Sequence, residues 1–272
     1  MTAMKSITRL ILLSALMLAT TSCHKDKPKP STPVGHITFN FTHLVNGAVL
    51  QTDTLKYVNA AGNPYEINQL MYFISDVKLH KSDGTIKLIN DWTDIHYVDI
   101  DIPATLKWEV YDSIPPGLYD SISFIFGITK EKNQSFRFVN PPEVNMMWPD
   151  ILGGGYHYLM INGKWKDNEN QIENYAFHLG IGQLYKSNVI AVDSIYAFVQ
   201  NYFSVKLPNS MFTIEQNTTH EIEIIMKIDN WFDTPYSYDH NYWGGAIMQN
   251  QPALQMIKEN GYDVFSCTWK AD

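Results

Sequence analysis

The chain has 272 residues, with 28 acidic and 20 basic side chains and a formal net charge of −8. A chain this acidic is not attracted to the phosphates of nucleic acid, so we expect no nucleic-acid partner. The two cysteines are too few for a disulfide-rich fold, so stability must come from burial of a large apolar core.

The first residues have the pattern of a secretory signal. Lys5 and Arg9 accompany an apolar run over residues 10–19 that is too short to span a bilayer. The sequence Thr-Thr-Ser-Cys that ends at Cys23 resembles a bacterial lipobox. We therefore predict a lipoprotein signal peptide over residues 1–22 and a lipid on Cys23 that anchors the exported chain to a membrane, in the periplasm or at the outer membrane. An ordinary cleaved signal followed by an incidental cysteine is the alternative.

Residues 23–34 are predicted to form a tether, because their prolines and charges favour an extended spacer. Removal of the signal takes away two basic residues and no acidic ones, which leaves a net charge of −10. No internal repeat or second boundary interrupts the remainder, and we expect residues 35–272 to form a single domain.

Alternation of apolar and polar residues dominates the domain. Ile37, Phe39, Phe41 and His43 fall on one face of a strand. Met71, Phe73, Val77 and Leu79 repeat this pattern. Further strands are predicted over residues 85–89, 96–102, 118–128, 156–162, 174–180, 197–206 and 220–228. The pattern predicts an all-β fold, a β-sandwich of mostly antiparallel strands with one short C-terminal helix.

That helix is predicted between Asn250, which can cap it, and Gly261, which can end it in the left-handed conformation. Pro252 suits its first turn. An aromatic-rich loop precedes the helix and could form an exposed binding surface. Its candidate residues are Trp231, Tyr236, Tyr238, Tyr242 and Trp243.

Catalytic motifs are not apparent in the sequence. It has no Gly-x-Ser-x-Gly elbow, and the glycines at residues 153–155 lack the Lys and Ser/Thr of a phosphate-binding loop. Cys267 lies in a strand-like stretch without a nearby histidine. We therefore expect a protein that is not an enzyme.

Two histidines are candidates for a shared metal. If a hairpin turns at residues 167–170, His157 lies opposite Gly180, and His178 is its diagonal neighbour on the same face. Pairings whose residue numbers have an odd sum place both imidazoles on one face, and pairings with an even sum place them on opposite faces. Imidazole suits copper or zinc, and His43 is a weaker third candidate on an otherwise apolar face. Each histidine could instead be a hydrogen-bonded packing residue.

Several stretches resemble the MbnP-like family, which is named after a methanobactin-associated copper protein. They cover residues 37 to 182 and are Tyr-Val-Asn-Ala-Ala-Gly-Asn-Pro-Tyr from Tyr57, Leu-Met-Tyr-Phe-Ile-Ser-Asp-Val-Lys-Leu-His from Leu70, Pro-Gly-Leu-Tyr-Asp-Ser-Ile-Ser-Phe from Pro116, Met-Trp-Pro from Met147, Gly-Gly-Tyr-His from Gly154 and Phe-His-Leu-Gly from Phe177.

The resemblance implies a β-sandwich with a copper site that uses histidines, and a tryptophan oxidised to kynurenine by a haem-containing partner enzyme. His178 and His43 match recurrent family motifs, His157 belongs to a variant motif, and Trp148 matches a family tryptophan. By composition alone, Trp148 is a core residue.

Two hypotheses follow. The first is a lipid-anchored copper-binding or copper-handling protein without turnover, with His157 and His178 as ligands, His43 as a further candidate and Trp148 nearby. The second is a lipid-anchored surface module without metal, which binds a peptide or glycan through the aromatic-rich loop.

Overall fold

The computed structural model describes residues 32–186 and 190–269. The predicted signal peptide, Cys23 and most of the predicted tether lie outside these ranges. Residues from Pro33 onward belong to one compact unit. Within the described ranges, no helix combines the length and the apolar character needed to cross a membrane.

The described residues form sixteen strands and two α-helices, joined by turns and short 3-10 helices. The strands are β1 (Gly35–Val45), β2 (Ala48–Val49), β3 (Tyr57–Val58), β4 (Pro64–Lys81), β5 (Ile86–Leu88), β6 (Ile95–Asp99), β7 (Lys107–Ile114), β8 (Gly117–Phe126), β9 (Leu159–Lys166), β10 (Ile172–Leu179), β11 (Gly182–Tyr185), β12 (Ile195–Val199), β13 (Phe203–Lys206), β14 (Phe212–Ile214), β15 (Thr219–Lys227) and β16 (Phe265–Trp269). The helices are α1 (His240–Trp243) and α2 (Gln251–Asn260).

Two main sheets pack face to face, and β11 and β12 form a separate two-stranded sheet. The smaller has the order β16-β15-β1-β2, with β7 also paired to β1, and the larger has the order β10-β9-β4-β8-β13 with short strands added to β4 and β8. Ring contacts join the sheets, as between Phe265 of β16 and both Phe124 and Phe126 of β8. The β1–β15 pair is parallel and the other pairs of the two sheets are antiparallel. The prediction of an all-β sandwich of mostly antiparallel strands is confirmed.

The central strand β4 is buried on both faces. Tyr72 faces the smaller sheet, where its ring contacts Phe265 of β16. Phe73 points the other way and packs on Phe138 and Tyr156. Those two residues belong to residues 127–158, which we call the cover segment because it lies over the outer face of the larger sheet. The predicted alternation over residues 71–79 therefore does not separate a buried face from an exposed one. The pairing of β4 with β8 also shifts by one residue between Ser75 and Lys78, so Phe73 and Leu79 lie on opposite faces and not on one face as predicted.

The C-terminal helix α2 is the longest helix among the described residues and begins as predicted. The side chain of Asn250 accepts a hydrogen bond from the amide of Ala253 at 3.2 Å. The predicted left-handed ending is wrong, since Gly261 has a φ of −65° and leads into a 3-10 turn. Glycine is needed there for a different reason, because a Cβ at residue 261 would lie 2.2 Å from the ring of Phe203.

Candidate metal centre

His178 lies on the outer face of the larger sheet. It is paired with Met160 across the β10–β9 ladder, and Met160 is paired with Met71 of β4. Side chains at opposed positions share a face, so these three residues form one row. The next residue of β4, Tyr72, contacts the smaller sheet, and the row therefore faces the cover segment.

The β9–β10 pairing differs from the predicted register. Ile172 pairs with Lys166, so the connecting turn comprises residues 167–171 and the paired residue numbers have an even sum. A regular continuation would place His157 on the face opposite His178. His157 does not follow this regular pattern, because β9 begins only at Leu159. The chain bends at Tyr158, and the amide of His157 donates to the carbonyl of Met146 at 2.7 Å.

This bend brings His157 between Trp148 and His178. The imidazoles of His157 and His178 meet edge to face, with ring centroids 5.0 Å apart. The ring of Trp148 meets that of His157 at 4.6 Å, also edge to face. Trp148 is fully buried, and its Nε1 donates to the carbonyl of Leu152 at 3.1 Å. The structure therefore brings together three of the residues singled out from the sequence.

Gly180 creates the space that Trp148 occupies. It lies two residues beyond His178, and a Cβ at this position would lie 2.5 Å from two carbons of the Trp148 ring. Real Cβ atoms do not approach ring carbons so closely, so a larger residue would displace the indole. This role of Gly180 was not predicted from the sequence, where the residue only marked the register opposite His157.

The hydrogen bonds of the two histidines fix their tautomers. Nδ1 of His157 lies 2.9 Å from the carbonyl oxygen of Met146, and Nε2 of His178 lies 2.7 Å from Oδ1 of Asn162. Both oxygens only accept hydrogen bonds, so each of these nitrogens carries a proton. The opposite nitrogens, Nε2 of His157 and Nδ1 of His178, therefore hold free lone pairs. Both are buried and have no hydrogen-bond partner among the described residues.

Burial keeps both imidazoles neutral at physiological pH. Desolvation lowers the pKa of His157 to about 4, although its hydrogen bond to Met146 opposes the shift. Desolvation, with a smaller contribution from the neighbouring His157, lowers the pKa of His178 to about 3. Neutral imidazole is the form that binds a metal ion, and each ring presents one unprotonated nitrogen.

His43 does not join this pair. It lies in β1 of the smaller sheet and is buried against the inner face of the larger sheet, where its Nε2 lies 3.1 Å from the hydroxyl of Tyr72. Across residues 32–186 and 190–269, no three His, Cys, Asp or Glu side chains are grouped closely enough to hold a metal ion. The contacts of His43 are those of a hydrogen-bonded packing residue.

The residues that orient the pair were not predicted from the sequence. Asn162 fixes the ring of His178, and its own Nδ2 donates to Gln69 at 3.0 Å. In the observed register, Met160 pairs with His178 and Asn162 pairs with Ala176. Both side chains therefore lie on the face of His178, and a sequence prediction with the correct register would have placed them beside it. The carbonyl of Met146 carries no side-chain signal and could not have been found from sequence.

The aromatic-rich loop is not an exposed surface. Trp231 and Tyr238 are fully buried, and Tyr238 packs on Phe177 and Phe232. Of the five predicted residues, only Tyr236 and Tyr242 are exposed. The loop folds inward because its rings complete the apolar core around β10, so the predicted aromatic surface is wrong.

Comparisons with known proteins support the earlier resemblance. The MbnP family model matches residues 34–249. Among solved structures, the fold is similar to that of MbnP from Methylosinus trichosporium, with a TM-score of 0.55, 13% sequence identity, and coverage of 88% of this chain and 99% of that chain. No curated protein matches the sequence. Because the family model spans most of the chain, this protein belongs to the MbnP family.

Proposed function

We propose that the protein is an exported, lipid-anchored copper-binding protein that holds the metal without catalytic turnover. His157 Nε2 and His178 Nδ1 would be the protein ligands, and a lipid on Cys23 would tie the domain to a membrane. The proposal rests on one observation above all: the two buried lone pairs in adjacent rings have no hydrogen-bond donor among the described residues.

These residues fit a metal ion chemically. A buried polar atom without a hydrogen-bond partner lowers the stability of the fold by about 1–3 kcal/mol. Two such atoms in contacting rings therefore destabilise the protein unless a ligand binds them. Metal-binding histidines usually donate their other nitrogen to a carbonyl or carboxamide oxygen, as both rings do here. Two imidazoles are a sufficient nitrogen set for Cu(I), whereas structural zinc sites take four protein ligands.

Copper titration tests the ligand assignment. Cu(I) affinity is measured anaerobically by competition with a chromophoric chelator, for the wild type, His157→Ala, His178→Ala and the double variant. Each single variant should weaken binding substantially and the double variant should abolish it. His220→Ala, at the start of β15, is the control and should bind like the wild type. Unchanged affinity in the double variant, with an unchanged circular dichroism spectrum, would reject the site.

Lipid anchoring is tested independently of the metal. The wild type should incorporate labelled palmitate and partition with membranes, whereas Cys23→Ala should not incorporate the label. Equal labelling of both proteins would reject the anchor and leave the copper proposal intact.

Trp148 is proposed as the site of oxidation to kynurenine by a haem-containing partner. Its support is its contact with His157 at 4.6 Å and its match to the family tryptophan. Peptide mass spectrometry of protein from its native host should show the mass of kynurenine at residue 148. Protein made in a host without the partner should retain tryptophan. Unmodified tryptophan from the native host would contradict this part of the proposal.

A role without turnover agrees with the reactive side chains that the structure describes. Burial raises the pKa of the Cys267 thiol to about 11, so the thiolate nucleophile is scarce at neutral pH. We expect the purified protein to bind copper stoichiometrically.

A further inference from the structure

An aromatic groove lies beside β7 in the smaller sheet. It has a volume of about 630 Å³ and runs between β7 and the segment that precedes it in the chain. Trp92 and Tyr111 stand at its rim, 78% and 68% exposed. Their rings are 5.6 Å apart and inclined by 56°, so they present two apolar faces at an angle to each other. The volume is within the range of small-molecule sites, roughly 300–1,000 Å³.

The floor of the groove is rigid. The imidazole of His96 stacks on the indole of Trp108 with centroids 4.8 Å apart and planes inclined by 3°, and on Phe41 at 5.1 Å. Nε2 of His96 is also hydrogen bonded to the carbonyl of Thr105 at 2.9 Å. Stacking on both faces and this hydrogen bond fix the ring, so the groove is formed before any ligand arrives.

The exposed position of Trp92 is also fixed by the structure. The buried carboxylate of Asp112 accepts hydrogen bonds from Nζ of Lys87 at 2.6 Å and from the amides of Asn90 and Asp91 at 3.1 and 3.2 Å. These bonds hold the loop immediately before Trp92. The Asp112 carboxylate thus holds the apolar ring of Trp92 in water, and a ligand that covers this ring would remove apolar surface from water.

The lining of the groove indicates the class of ligand. Lys107 and Glu109 form an exposed ion pair at 2.8 Å, so their charges cancel. Apart from Pro103 and Ala104, the lining side chains are aromatic or polar. A sugar ring has C–H faces that stack on the negative face of an aromatic ring, and hydroxyls that can bond to ammonium and carboxylate groups. Cancelled charge favours an uncharged ligand, and the lack of aliphatic pockets disfavours an apolar peptide.

We propose that this groove is a binding site for neutral oligosaccharides, with Trp92 and Tyr111 as stacking platforms and Lys107 and Glu109 as hydroxyl partners. The site shares no residue with the metal centre, so either could exist without the other. A peptide could instead add to β7, since β1 is its sole strand partner among the described residues. The aromatic rim and neutral lining favour the sugar.

The test is binding measured by titration calorimetry and tryptophan fluorescence, without added copper. The probes are cellohexaose, laminarihexaose, maltohexaose, xylohexaose and chitohexaose, with a polygalacturonate oligomer as the acidic comparison and a capped Thr–Val repeat peptide as the strand-forming comparison. The variants are Trp92→Ala, Trp92→Phe and Tyr111→Ala. The control is Tyr262→Ala, which removes an exposed aromatic ring elsewhere on the surface.

We expect at least one neutral hexasaccharide to bind. Trp92→Ala and Tyr111→Ala should each lower its affinity by about tenfold or more, the size of a lost aromatic contact. Trp92→Phe should retain part of the affinity because a ring remains, and Tyr262→Ala should change nothing. The proposal is overturned if no neutral probe binds, if binding is insensitive to Trp92→Ala and Tyr111→Ala, or if only the acidic oligomer or the peptide binds.

Discussion

Oδ1 of Asn162 lies 2.7 Å from Nε2 of His178, and this contact decides which nitrogen of the histidine is free. Nδ2 of Asn162 donates to Gln69, which is the arrangement expected when the oxygen of the Asn162 amide faces the imidazole. With the amide in this orientation, His178 is protonated at Nε2 and leaves Nδ1 without a proton. A residue that touches no metal thus selects the tautomer that a metal requires.

Asn162→Leu should weaken copper binding without removing a ligand. The variant keeps a similar side-chain volume but loses the acceptor, so the ring of His178 is free to rotate and to change tautomer. We expect a loss of about 10–100-fold in Cu(I) affinity, as for other residues that orient metal ligands. Asn174→Leu, at an exposed position of β10, is the control. Chelator competition that gives equal affinities for Asn162→Leu and the wild type would contradict the role of Asn162.

Gly180→Ala should displace Trp148. The added methyl would lie 2.5 Å from the indole ring, and accommodating it should lower the free energy of unfolding by about 1–3 kcal/mol. Trp148→Phe, which has a smaller ring, should partly relieve the clash. A double-mutant cycle measured by urea unfolding should therefore show a coupling of about 0.5–3 kcal/mol. Additive effects would mean that the two residues do not compete for the same space.

His240 should contribute to acid lability. It is fully buried among the rings of Tyr65, Trp165, Tyr175, Phe232 and Tyr238, and neither ring nitrogen has a hydrogen-bond partner among the described residues. Desolvation lowers its pKa to about 4, although Asp239 opposes the shift. The unfolded chain takes up this proton near pH 6.5, so between pH 6.5 and 4 it binds more protons than the folded chain. In that window, stability falls as the pH falls.

His240→Phe should remove this part of the pH dependence. At pH 7 the substitution should cost less than about 1.5 kcal/mol, because no hydrogen bond is lost and the ring shape is conserved. Relative to the wild type, the variant should gain up to about 3 kcal/mol as the pH falls from 6.5 to 4. Urea unfolding at several pH values measures this difference. Parallel stability curves for the two proteins would show that His240 does not titrate as proposed.

Asp112→Ala should strongly destabilise the smaller sheet. The carboxylate is 1% exposed and serves three donors, so its removal leaves the ammonium of Lys87 without its buried partner. We expect a loss of about 3 kcal/mol in the free energy of unfolding. Glu109→Ala, which breaks the exposed pair with Lys107 on the same strand, should change stability little. Urea unfolding measures both values, and similar losses in the free energy of unfolding would contradict the claim that the buried ion pair contributes more than the exposed one.

The sequence predicted the fold class better than the candidate site. The alternation of apolar and polar residues is strong in β1 and β15 because each strand has one apolar face. This alternation identifies a strand without knowledge of which residues it pairs with. The pattern in β4 was misleading because the cover segment buries its second face, and that segment has no period of its own. The meeting of His157 and His178 depends on a bend at Tyr158 and on a turn of five residues, and neither has a sequence signature.

The cover segment also has a consequence for how fast the proposed copper site would exchange its metal. Trp148 is 0% exposed, and His157 and His178 are 6% and 7% exposed, so an ion in solution has no open route to the two free nitrogens. Loading and release would then require the segment to lift, which is a local opening with its own free energy. Uptake would saturate at the opening rate as copper concentration rises, and bound copper would resist chelators for longer than its affinity alone implies. The amide of His157, bonded to Met146 within the segment, is a hydrogen-exchange reporter of that motion.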